Sequence, residues 1–549
     1  MQDKIVPVLV VGGGPVGLAL AGDLGWRGMS CVLIEQSDGS IYQPRMDLVG
    51  VRTMEFCRRW GLVPAVEGSP YPRDYAQDNI YLTSLTGYEL GREPFPGVGQ
   101  APPPKESPQR RERCPQNMFD PILRSFAASQ KTVTMRYRTR LVSFTQNADQ
   151  VTAVVENAET GAREEISARY IVGCDGGRSL VRETLGITMR GNPALTYTTN
   201  VIFRCPHLLS LHDKGKAYRH IFIGPEGTWS TMVAINGGDQ WRFSLIGGSE
   251  QREYTTEQIK AAIRRAVGRD FEFEILSVLP WVRRELVADQ YRNGRGFIAG
   301  DAAHVMSPTG GFGMNTGIQD AVDLSWKLAA VIAGWGSDGL LDSYGIERQP
   351  IGARNATEAS GNLRRMLSVP PHPDLLDDTP QGAATRQKVG QEFSDAMRRE
   401  WFTLGAHLGY RYEGSPVCWP DGSEAPPDDP RSYLPTARPG HRAPHAFLAD
   451  GRSTLDFFGP GFTLLGFNAS AAEAEPFIAA AKQRGVPLTF VAIDDPKIAS
   501  LYQCKFVLVR PDGHVAWRDD RMPEDALCII DVVRGALARY SMDQARKTA

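Results

Sequence analysis

The stretch from Gly300 to Leu328 carries the most chemically suggestive residues of the chain. Asp301 follows a short apolar run, and a turn containing Gly310, Gly311 and Gly313 then opens an amphipathic segment. Glycines permit backbone conformations that are closed to residues with a Cβ, and a helix starting behind them directs unpaired N–H groups and a positive dipole end outward. The stretch therefore predicts a seat for a phosphate group or a flavin ring.

A second glycine turn lies near the N-terminus. The apolar run 6–11 is too short for a helix, and it is followed by Gly12, Gly14 and Gly17 and then by a helical segment. This order matches the dinucleotide-binding fingerprint, in which the glycines make the turn, admit a pyrophosphate to the backbone and let the helix pack on the strand. Glu35 ends the next predicted strand, where an acidic side chain would meet the ribose hydroxyls.

A third loop of this kind follows the apolar segment ARYIVG, which runs into Asp175 and Gly176. Alone, an Asp-Gly pair predicts an ordinary turn. Here three glycine-rich loops each end a predicted parallel strand, and two of them carry an acid. Together they favour one shared nucleotide site.

These motifs, GGGPVG with Glu35, CDGGRS, and GDAAHVMSPTGGFGMNTGIQDAVDLSWKL, resemble the three fingerprints of the FAD-dependent aromatic hydroxylases, the class A flavoprotein monooxygenases. The resemblance covers roughly residues 5–365. Within the family, RMDLVGVRTMEFCRRWGL and the long tail are most similar to the phenol, chlorophenol and hydroxyphenylpropionate hydroxylases. It implies FAD as cofactor, NADPH or NADH with O2 as co-substrates, and hydroxylation of a phenolic or catecholic ring through a C4a-hydroperoxyflavin. A ring substituent such as nitro or halogen would leave in some such reactions.

The resemblance also implies which residues contact the cofactor. Asp301 would bind the ribityl hydroxyls, Gln116 would lie near the ribityl chain, and Arg45 would touch the flavin and help to position the nicotinamide. The amides at the helix start after Gly311 would face the flavin C2 carbonyl. The predicted FAD contacts are Gly12, Gly14, Gly17, Glu35, Arg45, Gln116, Asp175, Gly176, Asp301, Gly311, Gly313, Met314 and Asn315.

Hydroxylation also requires an electron-rich ring. A phenol with a pKa near 10 needs about 4 kcal/mol of differential stabilisation to ionise near pH 7. Asp47 falls where phenol hydroxylases of this branch carry a pocket aspartate, so it is the first candidate base, although the same residue would also suit a helix N-cap. Arg45 and Pro308 are expected beside the reacting edge of the flavin, and His304 is expected to support its loop. The candidates that would orient the phenolic oxygen from predicted strands are Tyr218, His220 and Arg204.

The order of predicted elements indicates an α/β protein of three domains. Residues 1–190 and 283–370 alternate strands and helices, as a doubly wound, Rossmann-like FAD-binding domain should. Residues 191–282, rich in β-branched and aromatic side chains, predict an inserted β-sheet domain for the substrate. Residues 371–430 contain a proline-rich, acidic stretch and predict a linker or surface excursion. Residues 431–549 resemble the thioredoxin-like C-terminal domain of this branch without its redox dithiol, so we expect a packing or dimerisation surface.

Composition narrows the partners and the compartment. The net charge of −2 argues against nucleic acid or an anionic membrane as a partner. The eight cysteines form neither a CxxC pair nor a metal-ligand cluster with histidine, which indicates reduced thiols, no metal site and a cytoplasmic location. No apolar run approaches the length of a membrane span, so we expect no stable membrane association. The predicted partners are a small aromatic substrate, O2 and a second copy of the chain.

Other flavoprotein classes fit the sequence less well. The absence of CxxC and CxxxxC disfavours a flavin disulfide reductase, and none of the ten tryptophans lies in the WxWxIP signature of a flavin-dependent halogenase. A non-catalytic flavin sensor would require an output module, and the tail has no such signature. An FAD-dependent reductase or dehydrogenase without oxygen insertion shares the fingerprints and stays open as an alternative.

Overall fold

The computed structural model describes residues 5–42, 44 and 46–537. The strands in this part of the chain are β1 Val6–Val11, β2 Cys31–Ile34, β3 Leu48–Val49, β4 Asn79–Leu82, β5 Glu89–Glu93, β6 Glu112–Arg113, β7 Val133–Arg136, β8 Thr139–Gln146, β9 Val151–Asn157, β10 Arg163–Gly173, β11 Met189–Arg204, β12 Arg219–Gly224, β13 Gly227–Ala234, β14 Gln240–Ile246, β15 Glu274–Ala288, β16 Arg292–Asn293, β17 Gly296–Ile298, β18 His304–Val305, β19 Phe462–Phe467, β20 Leu488–Ile493, β21 Phe506–Val509 and β22 Val515–Asp519. The helices are α1 Pro15–Trp26, α2 Val51–Arg59, α3 Val63–Glu67, α4 Gln116–Ser129, α5 Leu180–Thr184, α6 Thr256–Val267, α7 Phe312–Ile332, α8 Asp338–Met366, α9 Pro380–Trp401, α10 Leu404–Leu408, α11 Ala471–Gln483, α12 Pro496–Tyr502 and α13 Ala526–Val533.

The first sheet has the strand order β16-β17-β10-β1-β2-β7, with β8 and β9 attached beside β10. Strand β1 lies between β2 and β10 and runs parallel to both, with Val10 opposite Leu33 and Val172. Strand β17 is parallel to β10 on the far side. The carboxyl ends of β1, β10 and β17 therefore share one edge, and the three glycine-rich loops leave from it.

Helix α7 connects the third loop to the core. It packs against α1 and α8 and is buried along most of its length. Its buried polar groups are paired: His304 Nε2 lies 2.7 Å from Asp320 Oδ2, and Arg348 Nε donates to Asp320 Oδ1 at 2.8 Å. His304 thus supports its loop, as the sequence predicts.

The second sheet has the order β18-β15-β11-β14-β13-β12-β4-β5. One face packs on α6 in an apolar core that includes Val201, Phe203 and Phe243. Alternate residues on the other face border a cavity, as the period of two in a strand requires. The sheet exceeds the predicted insertion 191–282, because β4 and β5 join it from residues 79–93 and β15 continues to Ala288. No local sequence pattern predicts the parallel pairing of β4 with β12, because the two strands are far apart in the sequence.

Residues 371–430 are not only the linker or excursion expected from their prolines. They include α9, whose Val389, Phe393 and Met397 follow one another at the i, i+4 spacing of a buried helical stripe. This stripe packs on the outer strands of the second sheet, with the Phe393 ring 4.8 Å from the Tyr81 ring. As a result, Glu400 and Trp401 at the C-terminal end of α9 lie at the cavity.

The C-terminal sheet has the order β20-β19-β21-β22. Strands β19 and β20 are parallel around α11, and β21 and β22 are antiparallel, which gives the β-α-β-α-β-β-α chain order of the predicted thioredoxin-like domain. A buried ion-pair network fixes it to α7 and α8: Arg510 contacts Glu347 at 2.5 Å and Asp323 at 3.0 Å. The eight cysteines are free thiols. None of the described helices combines the length and apolar character that a membrane crossing requires.

Several buried histidines make stability depend on pH. Burial lowers the pKa of His220 and His441 to about 3, and that of His407, His445 and His514 to about 4. Because these values lie below the unfolded-state pKa of about 6.5, the unfolded chain binds protons that the folded chain refuses. We expect the free energy of unfolding to fall by roughly 1.4 kcal/mol per pH unit for each such histidine as pH drops below about 6.5, down to the folded pKa.

The urea midpoint, measured between about pH 7 and pH 5, tests this expectation. His220→Phe should flatten the pH dependence, since the His220 ring is fully buried and packs beside Trp241. His207→Phe, at an exposed position, is the matched control and should leave the slope unchanged. An identical slope in His220→Phe and the unsubstituted protein would contradict the account.

Candidate active site

A cavity of about 420 Å³ lies between the loop edge of the first sheet and the open face of the second. The glycine loops supply Gly14, Gly176 and Gly313 to its wall. The second sheet supplies Thr198, Asn200, Ile202, Thr231, Val233, Arg242, Ser244, Leu279, Trp281 and Arg283. One end is therefore built from backbone turns and the other from side chains, which suits a nucleotide cofactor facing a smaller ligand.

The first loop provides a backbone cradle. Gly12 has φ +109°, and a Cβ there would lie 2.4 Å from the Cys174 carbonyl oxygen, while a Cβ at Gly17 would lie 1.9 Å from the Gly12 oxygen. These two positions require glycine for packing. A Cβ at Gly14 or Gly176 would instead meet nothing within 4 Å, because both face the cavity. Gly14 is the N-cap of α1 without a side-chain cap, so the helix start is available to a pyrophosphate.

Glu35 stabilises the conformation of the first glycine loop. Its Oε2 accepts a hydrogen bond from the Gly13 amide at 2.7 Å, and its Oε1 accepts from the Ser37 amide at 2.8 Å and from the Ser37 hydroxyl at 2.7 Å. The carboxylate is thus placed at the end of β2, beside the first loop. Ribose binding by Glu35 remains a prediction.

The third loop presents a second helix N-terminus. Gly310 and Gly311 have φ of +91° and +69°, and Gly311 is the N-cap of α7, with neither a side-chain cap nor an acidic residue in the first turn. A Cβ at Gly313 would meet nothing closer than Met306 at 3.8 Å. Met314, Asp301 and Pro308 line the same part of the cavity. Uncapped amides and open space fit the electron-rich end of a flavin ring.

The side chains of two predicted cofactor contacts, Asn315 and Asp175, form hydrogen bonds within the protein. Asn315 accepts from the Gly50 amide at 2.8 Å and donates to the Gly311 carbonyl at 2.7 Å, so it fixes the start of α7. Asp175 accepts from the Val181 amide at 3.2 Å, at the first turn of α5, and burial raises the pKa of its carboxyl group. Neither side chain lines the cavity. Contact of Asp175 and Asn315 with FAD stays a prediction.

Gln116 is the first residue of α4 and borders the cavity, and its side-chain amide donates to Asp120 Oδ2 at 3.1 Å. Contact of Gln116 with the ribityl chain stays a prediction. Arg45 lies outside the described residues.

Asp47 lies at the centre of a polar cluster on the cavity wall. Its Oδ1 accepts from Arg113 at 2.7 Å, its Oδ2 accepts from the Tyr218 hydroxyl at 2.6 Å, and Arg242 lies 3.5 Å from Oδ2. The Arg113 guanidinium also stacks over the Tyr218 ring at 3.5 Å. Burial opposes ionisation of Asp47, but the two arginines and the Tyr218 hydrogen bond outweigh it, and the pKa of Asp47 is lowered.

The structure corrects one interpretation of Asp47. Asp47 is not an N-cap, because α2 begins at Val51 behind Gly50. Because the pKa of Asp47 is lowered, its carboxylate is ionised and accepts these hydrogen bonds, and its role as the base stays a prediction. Burial raises the pKa of Tyr218, so its hydroxyl group stays protonated and donates a hydrogen bond to Asp47.

Two other strand candidates lie away from the cavity. His220 is fully buried in the core on the opposite side of the sheet, between the rings of His212 and Trp241. Arg204 is at the outer end of β11, where it pairs with Glu274 at 3.0 Å. Neither can orient a ligand in the cavity. Tyr218 lies just before β12 begins, so the alternation of side chains along that strand does not place Tyr218 on the same face as His220.

Several cavity residues were missed by the sequence reading. They are Arg111, Arg113, Arg219, Arg242, Arg283, Glu400 and Trp401. Glu400 and Trp401 end α9, inside the expected linker. Arg219 donates to Glu400 Oε1 at 2.7 Å, and the Gly310 amide donates to the same oxygen at 3.1 Å, which ties α9 to the third loop. Arg219, Arg242 and Arg283 lie on three different strands of the second sheet, so only the pairing of those strands brings them to one face.

Comparison with known proteins agrees with this geometry. The FAD binding domain family matches residues 5–359, and the family described as aromatic-ring hydroxylase, C-terminal, matches residues 436–539. The chain belongs to the FAD-dependent aromatic-ring hydroxylases. The hydroxylase is 34% identical to tetracenomycin B2 monooxygenase-dioxygenase of Streptomyces olivaceus over 98% of this chain and 99% of that one. It is 34% identical to 4-methyl-5-nitrocatechol 5-monooxygenase of a Burkholderia species, over 98% of each chain.

A solved structure, RebC soaked with chromopyrrolic acid and containing 7-carboxy-K252c, shares the fold of the hydroxylase. The TM-score is 0.90 at 38% identity, over 97% of this chain and 99% of that one. The similarity includes the C-terminal domain. FAD is therefore the cofactor, and this enzyme is an aromatic monooxygenase with a doubly wound FAD domain, a substrate sheet and a thioredoxin-like tail.

Proposed function

We propose that this hydroxylase uses NADPH or NADH with O2 to hydroxylate an aromatic ring that carries a phenolic or catecholic hydroxyl group. The observation that carries the proposal is the cluster of Asp47, Tyr218, Arg113 and Arg242 on the wall of the cavity that also receives the start of α7. Three relatives support it, because their names specify 4-methyl-5-nitrocatechol, tetracenomycin B2 and a polyketide as the compounds on which they act. Loss of a ring substituent belongs to the same proposal.

The cluster would bind and polarise the ring hydroxyl. Tyr218 donates its one proton to Asp47, so its oxygen lone pairs are available to accept from the substrate hydroxyl. Arg113 and Arg242 place two positive charges beside a single carboxylate. Their surplus charge would stabilise the ring oxygen as its proton passes to the Tyr218 oxygen and the Tyr218 proton passes to the Asp47 carboxylate, in a site where solvent screens little.

The other cavity residues would hold the cofactor and exclude water. When bound, FAD supplies electron transfer from the reduced nicotinamide and the activation of O2. The uncapped start of α7 would offer amides to the anionic end of the ring, and Asp301 and Gln116 would bind the side chain. Pro308 and Trp401 would limit water access at the reacting edge. Arg45 stays a predicted flavin contact, and a homodimer in the cytoplasm stays a prediction from the sequence.

A screen of phenols and catechols for stimulated NAD(P)H oxidation tests the proposal, with peroxide release measured in parallel. We expect at least one phenol to stimulate oxidation, with peroxide well below the NAD(P)H consumed and a hydroxylated product making up the balance. Oxidation that always returns its electrons as peroxide, or that saturates the substrate without consuming O2, would support the reductase alternative instead.

A further inference from the structure

The cavity carries more positive than negative charge. Its arginines are Arg111, Arg113, Arg219, Arg242 and Arg283. Its acids are Asp47, Asp301 and Glu400. Two of the arginines share Asp47, and Arg219 is paired with Glu400. Arg283 and Arg111 are left without a carboxylate within ion-pair distance in the part of the chain that the structure describes.

Arg283 is the more deeply buried of these two. Its exposed fraction is 6%, its Nε donates to Thr198 Oγ1 at 3.1 Å, and its Nη1 has no hydrogen-bond partner among residues 5–42, 44 and 46–537. Burial lowers the pKa of Arg283 to about 10; the charges of Arg219 and Arg242 act in the same direction, and the charge of Glu400, which is not within ion-pair distance, opposes them. Arg283 is still a cation at neutral pH. A buried cation without a counter-ion is costly to a fold and is normally paired.

The position of Arg283 identifies which ligand would supply the counter-ion. Arg283 lies on β15 opposite Thr196 of β11, on the cavity face of the second sheet, together with Leu279 and Trp281. The turns suited to the cofactor phosphates lie on the first sheet. The missing negative charge therefore belongs to the ligand that contacts the second sheet, which is the substrate.

We propose that Arg283 forms a recognition subsite for a carboxylate on the aromatic substrate, separate from the cluster that holds the ring hydroxyl. The inference rests on the proposed function, because it requires the second sheet to bind an aromatic substrate. With Nε engaged by Thr198, the terminal nitrogens of the planar guanidinium remain for a planar two-oxygen anion. The preferred substrates would be aromatic hydroxy acids.

Equilibrium binding to the FAD-loaded protein, without NAD(P)H, tests the subsite independently of turnover. The probes are 6-hydroxy-2-naphthoate and its carboxamide, which differ in charge and little in shape, and the readout is the perturbation of the flavin spectrum. We expect the acid to bind at least about 30-fold more tightly than the amide, as truncating a buried charge pair costs about 2 kcal/mol or more. Arg283→Met should bring this ratio close to one, and Arg283→Lys should retain part of it.

Arg204→Met is the matched control, because Arg204 lies on the same sheet and outside the cavity, and it should preserve the preference for the acid. Arg283→Met removes an unpaired buried charge and should fold; FAD content and the melting temperature verify this. Equal affinity for acid and amide, binding of neither, or a preference that survives Arg283→Met would overturn the subsite. A protein that prefers the acid in this binding assay but inserts no oxygen into any phenol would instead overturn the proposed function alone.

Discussion

Replacing Gly14 with valine should give a folded protein that does not retain FAD. A Cβ at Gly14 would meet no protein atom within 4 Å, and the residue has the extended backbone that valine favours, so the fold has room for the change. The branched side chain would, however, occupy the space in front of α1 where a pyrophosphate must approach. Losing up to about 2 kcal/mol for each of two phosphate charges at a helix start corresponds to roughly a thousandfold weaker FAD binding.

FAD affinity measured by titration of the apoprotein checks this prediction. The control is Gly248→Val, because a Cβ at Gly248 also meets nothing within 4 Å and the residue does not line the cavity. That variant should bind FAD as the unsubstituted protein does. Retention of full FAD affinity by Gly14→Val would show that the first loop does not hold the pyrophosphate.

The second large effect is expected from Asp47→Ala, which should bind FAD normally and hydroxylate slowly. Without the carboxylate, Tyr218 loses its acceptor and two buried arginines lose their counter-ion. Proton transfer by a positioned side chain contributes about 100- to 10,000-fold, so we expect a drop in product formation of that order, with peroxide release rising in its place. Single-turnover measurement of product against peroxide separates this effect from slower flavin reduction.

Tyr218→Phe gives an independent test if Asp47→Ala is poorly folded. It removes only the hydroxyl that connects Asp47 to the cavity, and we expect the same rise in peroxide at unchanged FAD content. Asp239→Ala is the control, since Asp239 pairs with Arg204 at the outer end of the sheet and should not change coupling. Normal coupled rates in both Asp47→Ala and Tyr218→Phe would remove the cluster from the reaction.

The nucleotide-binding half of the site was readable from the sequence. Gly12, Gly14 and Gly17 lie in one local strand-turn-helix unit, so neighbouring residues in the sequence are enough to predict its conformation. The convergence of this loop with those at Gly176 and Gly311 followed from the rule that parallel strands carry their ligands at their carboxyl ends. Local pattern and one topological rule were sufficient for the three loops, whereas the roles of Asp301, Gln116 and Arg45 rested on the family resemblance and stay predictions.

The substrate half depends on contacts that local pattern does not encode. Glu400 and Trp401 reach the cavity because α9 packs on β4 and β5, and prolines near the start of that segment suggested a linker. His220 and Tyr218 were equal candidates in the sequence, but only the pairing of β12 with its neighbours decides which side chain faces the cavity. The sequence does not distinguish Arg283 from the other arginines. Only the three-dimensional structure shows that it has no carboxylate within ion-pair distance among the described residues.

The most direct test of the central claim is the fate of isotopically heavy O2 in a turnover with a phenol that stimulates NAD(P)H oxidation. If the cavity joins an FAD-binding edge to a ring-binding sheet as described, one heavy oxygen atom should appear in the new hydroxyl group of the product. A product that takes its oxygen from water, or heavy oxygen recovered only in peroxide, would contradict the assignment of oxygen insertion to this site.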